Sequence, residues 1–312
     1  MFIGGALGVL ILCLMSTAAD RWLFSGLLLI LGVSMASTLY DPCFALLMQR
    51  LKTQGTGATA TVTLIAGLAT LVTFPLVLVL SDYLDWREII LVFGVIAAVA
   101  LLLLPKEDRR ARGFRKVNEA QPFKVTKAPL IIGSAFGLIM MGHAIFLFML
   151  PVTLGLGKEA GKIGVLAVAI LGPSQILGRL AWKILGGRWA PQPSAIALFV
   201  LFCVPPVILV LAGSNIALIY LALIMQGACY GVHTILRPVL SHQYLLTEHL
   251  GQGFGIIATI GLLLMAVGPA LGGVVWSISD FSGLMTCVLF INVIALFLVT
   301  VVSRIGSVRD SL

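Results

Sequence analysis

The sequence predicts an all-α, polytopic membrane protein with about ten transmembrane helices. Of its 312 residues, 60% are hydrophobic and only 10% are charged, and the mean hydropathy is +1.12. Soluble domains carry roughly 25% charged residues, so this chain lacks the polar side chains that a water-facing surface needs. Long apolar runs alternate with short segments of charged and turn residues, which is typical of repeated membrane crossing.

The individual helices follow from where charged and turn residues interrupt the apolar runs. A bilayer core about 30 Å thick takes roughly 20 helical residues. Isolated strands are excluded because their backbone groups would stay unsatisfied in lipid. The predicted helices are 2–18, 22–48, 58–81, 87–104, 129–155, 161–183, 193–213, 215–243, 252–277 and 283–303.

The positive charges predict the orientation of these helices. Fifteen of the 20 Lys and Arg residues fall on one side of the predicted membrane and four on the other, while Arg237 lies inside a helix. The positive-inside rule therefore predicts a multi-pass protein of the cell membrane (plasma or inner membrane) with both termini in the cytoplasm. The net charge of +8 is explained by this orientation, and nucleic acid is not an expected partner.

One long polar segment divides the chain. We expect a partial N-terminal bundle of four helices over 1–104, a cytoplasmic linker over 105–128, and a C-terminal bundle of six helices with a short cytoplasmic tail over 129–312. The basic linker is typical of a solvated connection, and binding to anionic lipid is its alternative role.

A weak internal repeat relates the two halves. Asp41-Pro42 in the first half matches Arg237-Pro238 in the second, and each pair precedes a helix that contains a further proline. Pro42 and Pro75 are 33 residues apart, and Pro238 and Pro269 are 31 apart. A six-helix second half would then predict a six-helix first half, with two helices expected before Met1. A signal peptide over 2–18 is the alternative, although it would lack a basic start and a clear cleavage site.

Two local motifs resemble those of the major facilitator superfamily. Gly268-Pro269-Ala270-Leu271-Gly272-Gly273 resembles the end of the family's antiporter-type glycine motif. Its basic loop motif after the eighth family helix is resembled by Gly178-Arg179-Leu180-Ala181-Trp182-Lys183 together with Gly186-Gly187-Arg188, although Trp182 stands where the family has an acidic residue. The internal repeat and the basic linker also resemble the family's arrangement of two six-helix halves joined by a cytoplasmic linker.

The resemblance implies transport by alternating access, in which two bundles rock around a central cavity. It also implies that the helices 22–48, 129–155 and 215–243 line this cavity. We therefore expect a secondary active transporter of a small molecule, possessing no cofactor, metal site or enzymatic activity, and a monomer if it is complete. A non-transporting membrane sensor or an incomplete transporter remnant is the alternative, and a channel comes third.

Asp41 and Arg237 are the first candidates for a functional site. They are the only acidic and the only basic residue well inside a predicted helix. A charge at membrane depth costs about 2.5–3.5 kcal/mol on insertion scales, so each should face a partner or water. They are expected to pair across the cavity, or Arg237 binds an anionic substrate while Asp41 carries a proton. A fixed salt bridge that holds the bundles together is the structural alternative.

Other polar and motif residues complete the predicted site. His143 and His233 lie on predicted cavity helices and could relay protons, or could simply bond a neighbouring helix. Tyr40 and Tyr230 could hydrogen-bond the substrate, or could bond a neighbouring helix. Residues expected to serve as kinks, flexible points or motif positions are Pro42, Pro75, Gly178, Arg179, Pro238, Gly268, Pro269, Gly272 and Gly273.

Overall fold

A computed structural model describes residues 2–38, 40–51, 54–103, 126–154, 160–185, 189–213, 215–245 and 249–305. These residues form helices and connecting turns, with no strand among them, and the predicted fold class is confirmed. The helices are α1 (Phe2–Thr17), α2 (Arg21–Thr38), α3 (Tyr40–Leu51), α4 (Gly55–Leu80), α5 (Trp86–Leu102), α6 (Lys127–Leu154), α7 (Ala160–Leu185), α8 (Pro191–Ala212), α9 (Ile216–Tyr244), α10 (Leu250–Ile278) and α11 (Phe281–Arg304).

Six spans in the described part of the chain are long and apolar enough to cross a membrane. They are Arg21–Leu47, Lys127–Met149, Pro191–Ala212, Ile216–Tyr244, Leu250–Ile278 and Phe281–Arg304. Phe2–Thr17 is a shorter apolar helix, Gly57–Ala69 is a shorter apolar stretch of α4, and α5 has 17 residues. Side chains that would be buried in a soluble protein are exposed on these helices, including Leu211 at 76% and Phe290 at 66%. Exposure on this scale fits a surface that lipid covers.

The predicted helix 22–48 corresponds to α2 and α3, which the structure describes on either side of residue 39. Together they supply one apolar span, Arg21–Leu47, near the N-terminus. Pro42 lies within this span.

The chain divides into two units, Met1–Leu46 with Val72–Phe123, and Leu47–Leu71 with Lys124–Leu312. In the first unit α1 packs against α2 and α5. Ile11, Met15 and Leu27 form its small core. Ser34 Oγ on α2 donates a hydrogen bond of 2.6 Å to the Gly4 carbonyl on α1, which fixes the two helices to each other.

The second unit is built around close helix pairs. α6 packs against α10 and α11, α7 packs against α9, and α8 packs against both α9 and α11. Its main core contains Ile145, Phe146, Leu223, Met285 and Val288, all nearly or fully buried. Asn292 Nδ2 on α11 donates to the Phe202 carbonyl on α8 at 2.7 Å, a buried link of the kind that holds membrane helices together.

Some sequence predictions fall on residues that are not described. Most of the predicted linker 105–128 lies in 104–125, which is outside the described residues, and so is most of the predicted C-terminal tail. The division into 1–104, 105–128 and 129–312 stays a prediction.

Candidate functional site

One face of α9 carries a stripe of polar side chains. Gln226, Tyr230, His233 and Arg237 follow one another at intervals of four, three and four residues. Because a helix turns every 3.6 residues, this spacing places all four on the same side. Gln226 and His233 are 1% and 2% exposed, so the stripe is turned inward within the second unit.

Three of the rings at this face are nearly parallel. The His143 ring on α6 lies on the Tyr230 ring with 3.6 Å between centroids and an angle of 9°. The Tyr230 ring lies 5.2 Å from the His233 ring, again at 9°. The structure thus brings together His143, Tyr230 and His233, three of the residues that the sequence singled out. We call these residues with Gln226 the α9 polar cluster.

Hydrogen bonds define the tautomer of His233. Its Nε2 lies 3.1 Å from the Phe136 carbonyl of α6. A carbonyl only accepts, so Nε2 carries the proton and Nδ1 presents a lone pair. Gln226 Nε2 lies 3.5 Å from His143 Nδ1, a long contact that points the amide towards the second imidazole.

Two buried acceptors of the cluster have no partner among the described residues. These atoms are His233 Nδ1 and Gln226 Oε1. Buried polar atoms in folded proteins are nearly always hydrogen-bonded, so two exceptions in one cluster point to a functional site. Both atoms accept rather than donate, and the cluster is therefore suited to take up a proton or a hydrogen-bond donor.

Aromatic rings surround His233. The Phe136 ring lies 5.0 Å and the Phe202 ring 6.1 Å from its imidazole, and Phe199 packs edge-on against Phe136 at 5.1 Å. These rings come from α6 and α8 and keep the surroundings apolar. Electrostatic interactions of His233 are stronger in such surroundings than in water.

Arg237 reaches the same depth as His233. Its Nη1 lies 3.9 Å from the position that a Cβ on Gly261 would occupy, and Gly137 Cα lies 3.9 Å from that same position. His233 bonds Phe136, the residue next to Gly137. Residue 137 is ten residues into α6, about 15 Å along its axis, which is near the middle of a bilayer core.

Arg179 is buried and lies within α7, in agreement with the predicted helix 161–183. Its Nε donates to Thr234 Oγ1 at 3.3 Å and its Nη2 to Gln175 Oε1 at 3.4 Å. Its guanidinium also packs over Gly67 of α4, where a Cβ would overlap it. Arg179, which the sequence assigned to a basic loop motif, thus connects helices of the second unit through hydrogen bonds and packing. Gly186, Gly187 and Arg188, the rest of that motif, are outside the described residues.

Glycines allow α7 and α9 to approach each other closely. A Cβ on Gly178 would overlap the Ala228 carbonyl, and one on Gly231 would overlap the Gln175 carbonyl. A Cβ on Gly227 would lie only 2.7 Å from the Leu171 carbonyl. Gly227 and Gly231, which the sequence analysis did not single out, are separated by the four-residue interval of a G-x-x-x-G helix contact, and that spacing was the available signal.

The predicted glycine motif lies on α10 and packs partly against α6. A Cβ on Gly268 would lie 2.8 Å from the Met141 carbonyl, and one on Gly272 would lie 2.8 Å from Met149 Cγ. A Cβ on Gly273 would meet nothing within 4 Å. Pro269 lies inside α10 and Pro238 inside α9.

The predicted residues of the first half are only partly placed. Tyr40, which belongs to the first unit, stacks on the buried Phe44 ring with 5.4 Å between centroids. The side chains of Asp41 and Pro75 are outside the described residues. Pairing of Asp41 with Arg237 stays a prediction.

Three solved membrane transporters share the fold of this chain. The human organic anion transporter MFSD10 superposes with a TM-score of 0.72 at 15% identity, covering 96% of this chain and 76% of that one. The Escherichia coli fucose:proton symporter FucP gives 0.64 at 14% identity, with coverages of 96% and 82%. A bacterial homologue of the iron transporter ferroportin, in its outward-facing state with soaked iron, gives 0.56 at 14%, with coverages of 97% and 83%. Identity at this level shows the fold alone.

Sequence comparison supplies the family. No curated protein sequence matches the chain significantly. The family model described as Major Facilitator Superfamily matches residues 1–193, which is more than half of the chain. The apolar spans, the fold and this match agree with one another, and the protein is a multi-pass membrane transporter that belongs to the major facilitator superfamily.

Proposed function

We propose that the protein is a secondary active transporter that moves a small organic anion together with a proton by alternating access. The α9 polar cluster is its proton site and Arg237 its anion site. The observation that carries the proposal is a pair of buried acceptors, His233 Nδ1 and Gln226 Oε1, that find no partner in the part of the chain that the structure describes. They lie beside a cationic side chain at the same depth.

His233 is the proton acceptor in this proposal. The Phe136 carbonyl occupies Nε2–H, which leaves the Nδ1 lone pair as the place where a proton binds. The Tyr230 ring lies parallel to both imidazoles, and an aromatic face attracts a cation by about 0.5–2 kcal/mol. A proton on either histidine is therefore supported by the same ring.

Arg237 links the proton to the solute. A proton on His233 places a second positive charge one helical turn from Arg237, and two like charges in apolar surroundings repel strongly. Other titratable groups near His233 are His143 and Tyr230 in the stack, Cys229 on α9 and Arg179 from α7. An anion bound at Arg237 removes much of the repulsion. Binding of the anion and of the proton then favour each other equally, because coupling between sites is reciprocal.

The remaining expectations complete the proposal. The two halves alternate in exposing the site to the two sides of the membrane, and Asp41 serves as the counter-ion of Arg237 when no solute is bound. The charge distribution supports a location in the plasma or inner membrane with both termini in the cytoplasm. The chain acts as a monomer and transports its solute without chemical conversion. The fold is shared with an organic anion transporter and a fucose:proton symporter, and this supports the choice of solutes to test first.

Uptake by reconstituted protein tests the proposal. Proteoliposomes with a pH-sensitive dye inside receive an acid-outside gradient and then organic sulfonates, dicarboxylates or a neutral sugar, with protein-free liposomes as the blank. We expect anion uptake that grows with the gradient and acidifies the lumen. Arg237→Gln should lower anion uptake at least tenfold, which corresponds to about 1.4 kcal/mol.

Other outcomes would contradict parts of the proposal. Uptake of the sugar but of no anion would reject the anion site and would leave the proton site standing. Anion uptake that ignores the gradient would reject proton coupling. No uptake of any solute by monodisperse protein would favour the non-transporting alternative.

A further inference from the structure

A groove lies between α7, α8 and α9, apart from the α9 polar cluster. Its volume is about 290 Å³. Its walls are apolar and include Ala181 and Leu185 of α7, Ala197 and Leu201 of α8, and Val232 of α9. Leu185 is 61% exposed and Leu201 is 45% exposed, so the groove opens outward.

The close contact of α7 with α9 creates the floor of this groove. Gly178 lies directly on the Ala228 backbone, and both residues line the groove. Because the side chains at this contact are small, the space beside α8 stays open as the groove; larger side chains would fill it. The groove is therefore a consequence of how these helices pack.

The length of the groove fits one leaflet. Its lining residues on α8 run from Ser194 to Leu201, which is seven residues, or about 10 Å along the helix axis at 1.5 Å per residue. One leaflet contributes about half of a bilayer core about 30 Å thick. The groove therefore fits within the depth of one acyl chain.

The open end of the groove carries tryptophan and positive charge. Trp182 and Trp189 line it, and Trp189 is 65% exposed. Tryptophan is enriched at the level of the lipid headgroups. Lys183 lies beside them in the last turn of α7 and is exposed. Residues 180–200 contain no acidic residue, so the positive charge of Lys183 at this end suits an anionic headgroup.

We propose that this groove is a specific site for an anionic phospholipid, with one acyl chain between α7 and α8 and the headgroup phosphate at Lys183. The site lies in the leaflet that faces the basic side of the protein. It does not depend on the transport proposal.

Native mass spectrometry of the purified protein tests the site. The detergent-solubilised protein is titrated with phosphatidylglycerol and, separately, with phosphatidylethanolamine of the same acyl chains. We expect a first phosphatidylglycerol to bind several-fold more tightly than the ethanolamine lipid. Lys183→Gln should lower that preference about fivefold, because one basic side chain near the membrane surface contributes about that factor. Arg304→Gln, an exposed basic residue at the end of α11, is the matched control and should keep the preference.

Filling the groove tests the acyl chain. Ala197→Phe and Ala181→Phe approach it from opposite walls, so that one variant remains informative if the other does not fold. Each should remove the first tight lipid, whereas Ala266→Phe on the exposed side of α10 should not. Equal binding of the two lipids, or a preference unchanged in Lys183→Gln and in both filled variants, would overturn the proposal.

Discussion

The two sides of α9 differ in kind. Towards α7 the helix presents Gly227 and Gly231, whose Cα atoms lie against the backbone of the neighbouring helix. Towards α6 it presents Gln226, Tyr230 and His233, whose side chains keep two acceptors without partners among the described residues. One side is fixed by a contact that leaves no room for an added atom, and the other holds the polar groups to which we assign proton binding. A rigid support behind a polar site is what a binding site needs to stay positioned.

The largest effect is expected from disrupting the glycine contact between α9 and α7. Gly231→Ala places a methyl group against the Gln175 carbonyl, and neither backbone yields easily. Overpacking of this kind costs about 1–3 kcal/mol, and Gly231→Leu should prevent accumulation of monodisperse protein. Thermal unfolding followed by size-exclusion chromatography measures the loss. Gly255→Ala on α10 is the control, because a Cβ there meets nothing within 4 Å; equal stability of the two alanine variants would show that the α7–α9 contact is looser than described.

The second effect separates function from stability on the polar side. His233→Leu loses a hydrogen bond worth about 0.5–1.5 kcal/mol and also removes a buried acceptor whose missing partner costs about 1–3 kcal/mol. The thermal stability should therefore stay within about 1 kcal/mol of the wild type, while gradient-driven uptake falls at least tenfold. A large loss of stability would instead assign His233 a structural role between α6 and α9.

The smallest effect is expected at Thr234, which lies on α9 and forms a hydrogen bond with Arg179 of α7. Thr234 accepts from Arg179 Nε at 3.3 Å and donates to the Gly231 carbonyl at 2.8 Å. Thr234→Val keeps the shape and removes the acceptor, and the expected cost is about 1 kcal/mol because Arg179 retains Gln175. Thr234→Ser keeps the hydroxyl and should restore the stability. A valine variant as stable as the serine variant would show that this hydrogen bond contributes nothing.

Hydropathy was enough to predict the helices, because lipid leaves the backbone no other way to satisfy its polar groups. The predicted helix 129–155 agrees closely with α6, and 283–303 with α11. The predicted helix 22–48 likewise agrees with the apolar span Arg21–Leu47.

The candidate site was only partly predictable. The sequence identified His143, Tyr230 and His233 as polar residues on helices that could line a cavity, and the structure stacks their rings. It could not show that they meet, because the contact depends on how α6 and α9 are rotated against each other. Arg179 shows a second limit, because its burial could not be predicted from the sequence. A basic residue near a helix end resembles a loop residue in sequence, yet it is 6% exposed here because Thr234 and Gln175 lie within reach.

The most direct test of the proposed coupling is solute-dependent proton flux in proteoliposomes that contain His233→Leu, compared with wild-type protein and with Gly255→Ala. For the wild type and for Gly255→Ala we expect the transported anion to acidify the lumen under an acid-outside gradient. His233→Leu should reduce this acidification at least tenfold while the reconstituted protein remains monodisperse. Acidification by His233→Leu at the wild-type rate would contradict the assignment of the α9 polar cluster as the proton site.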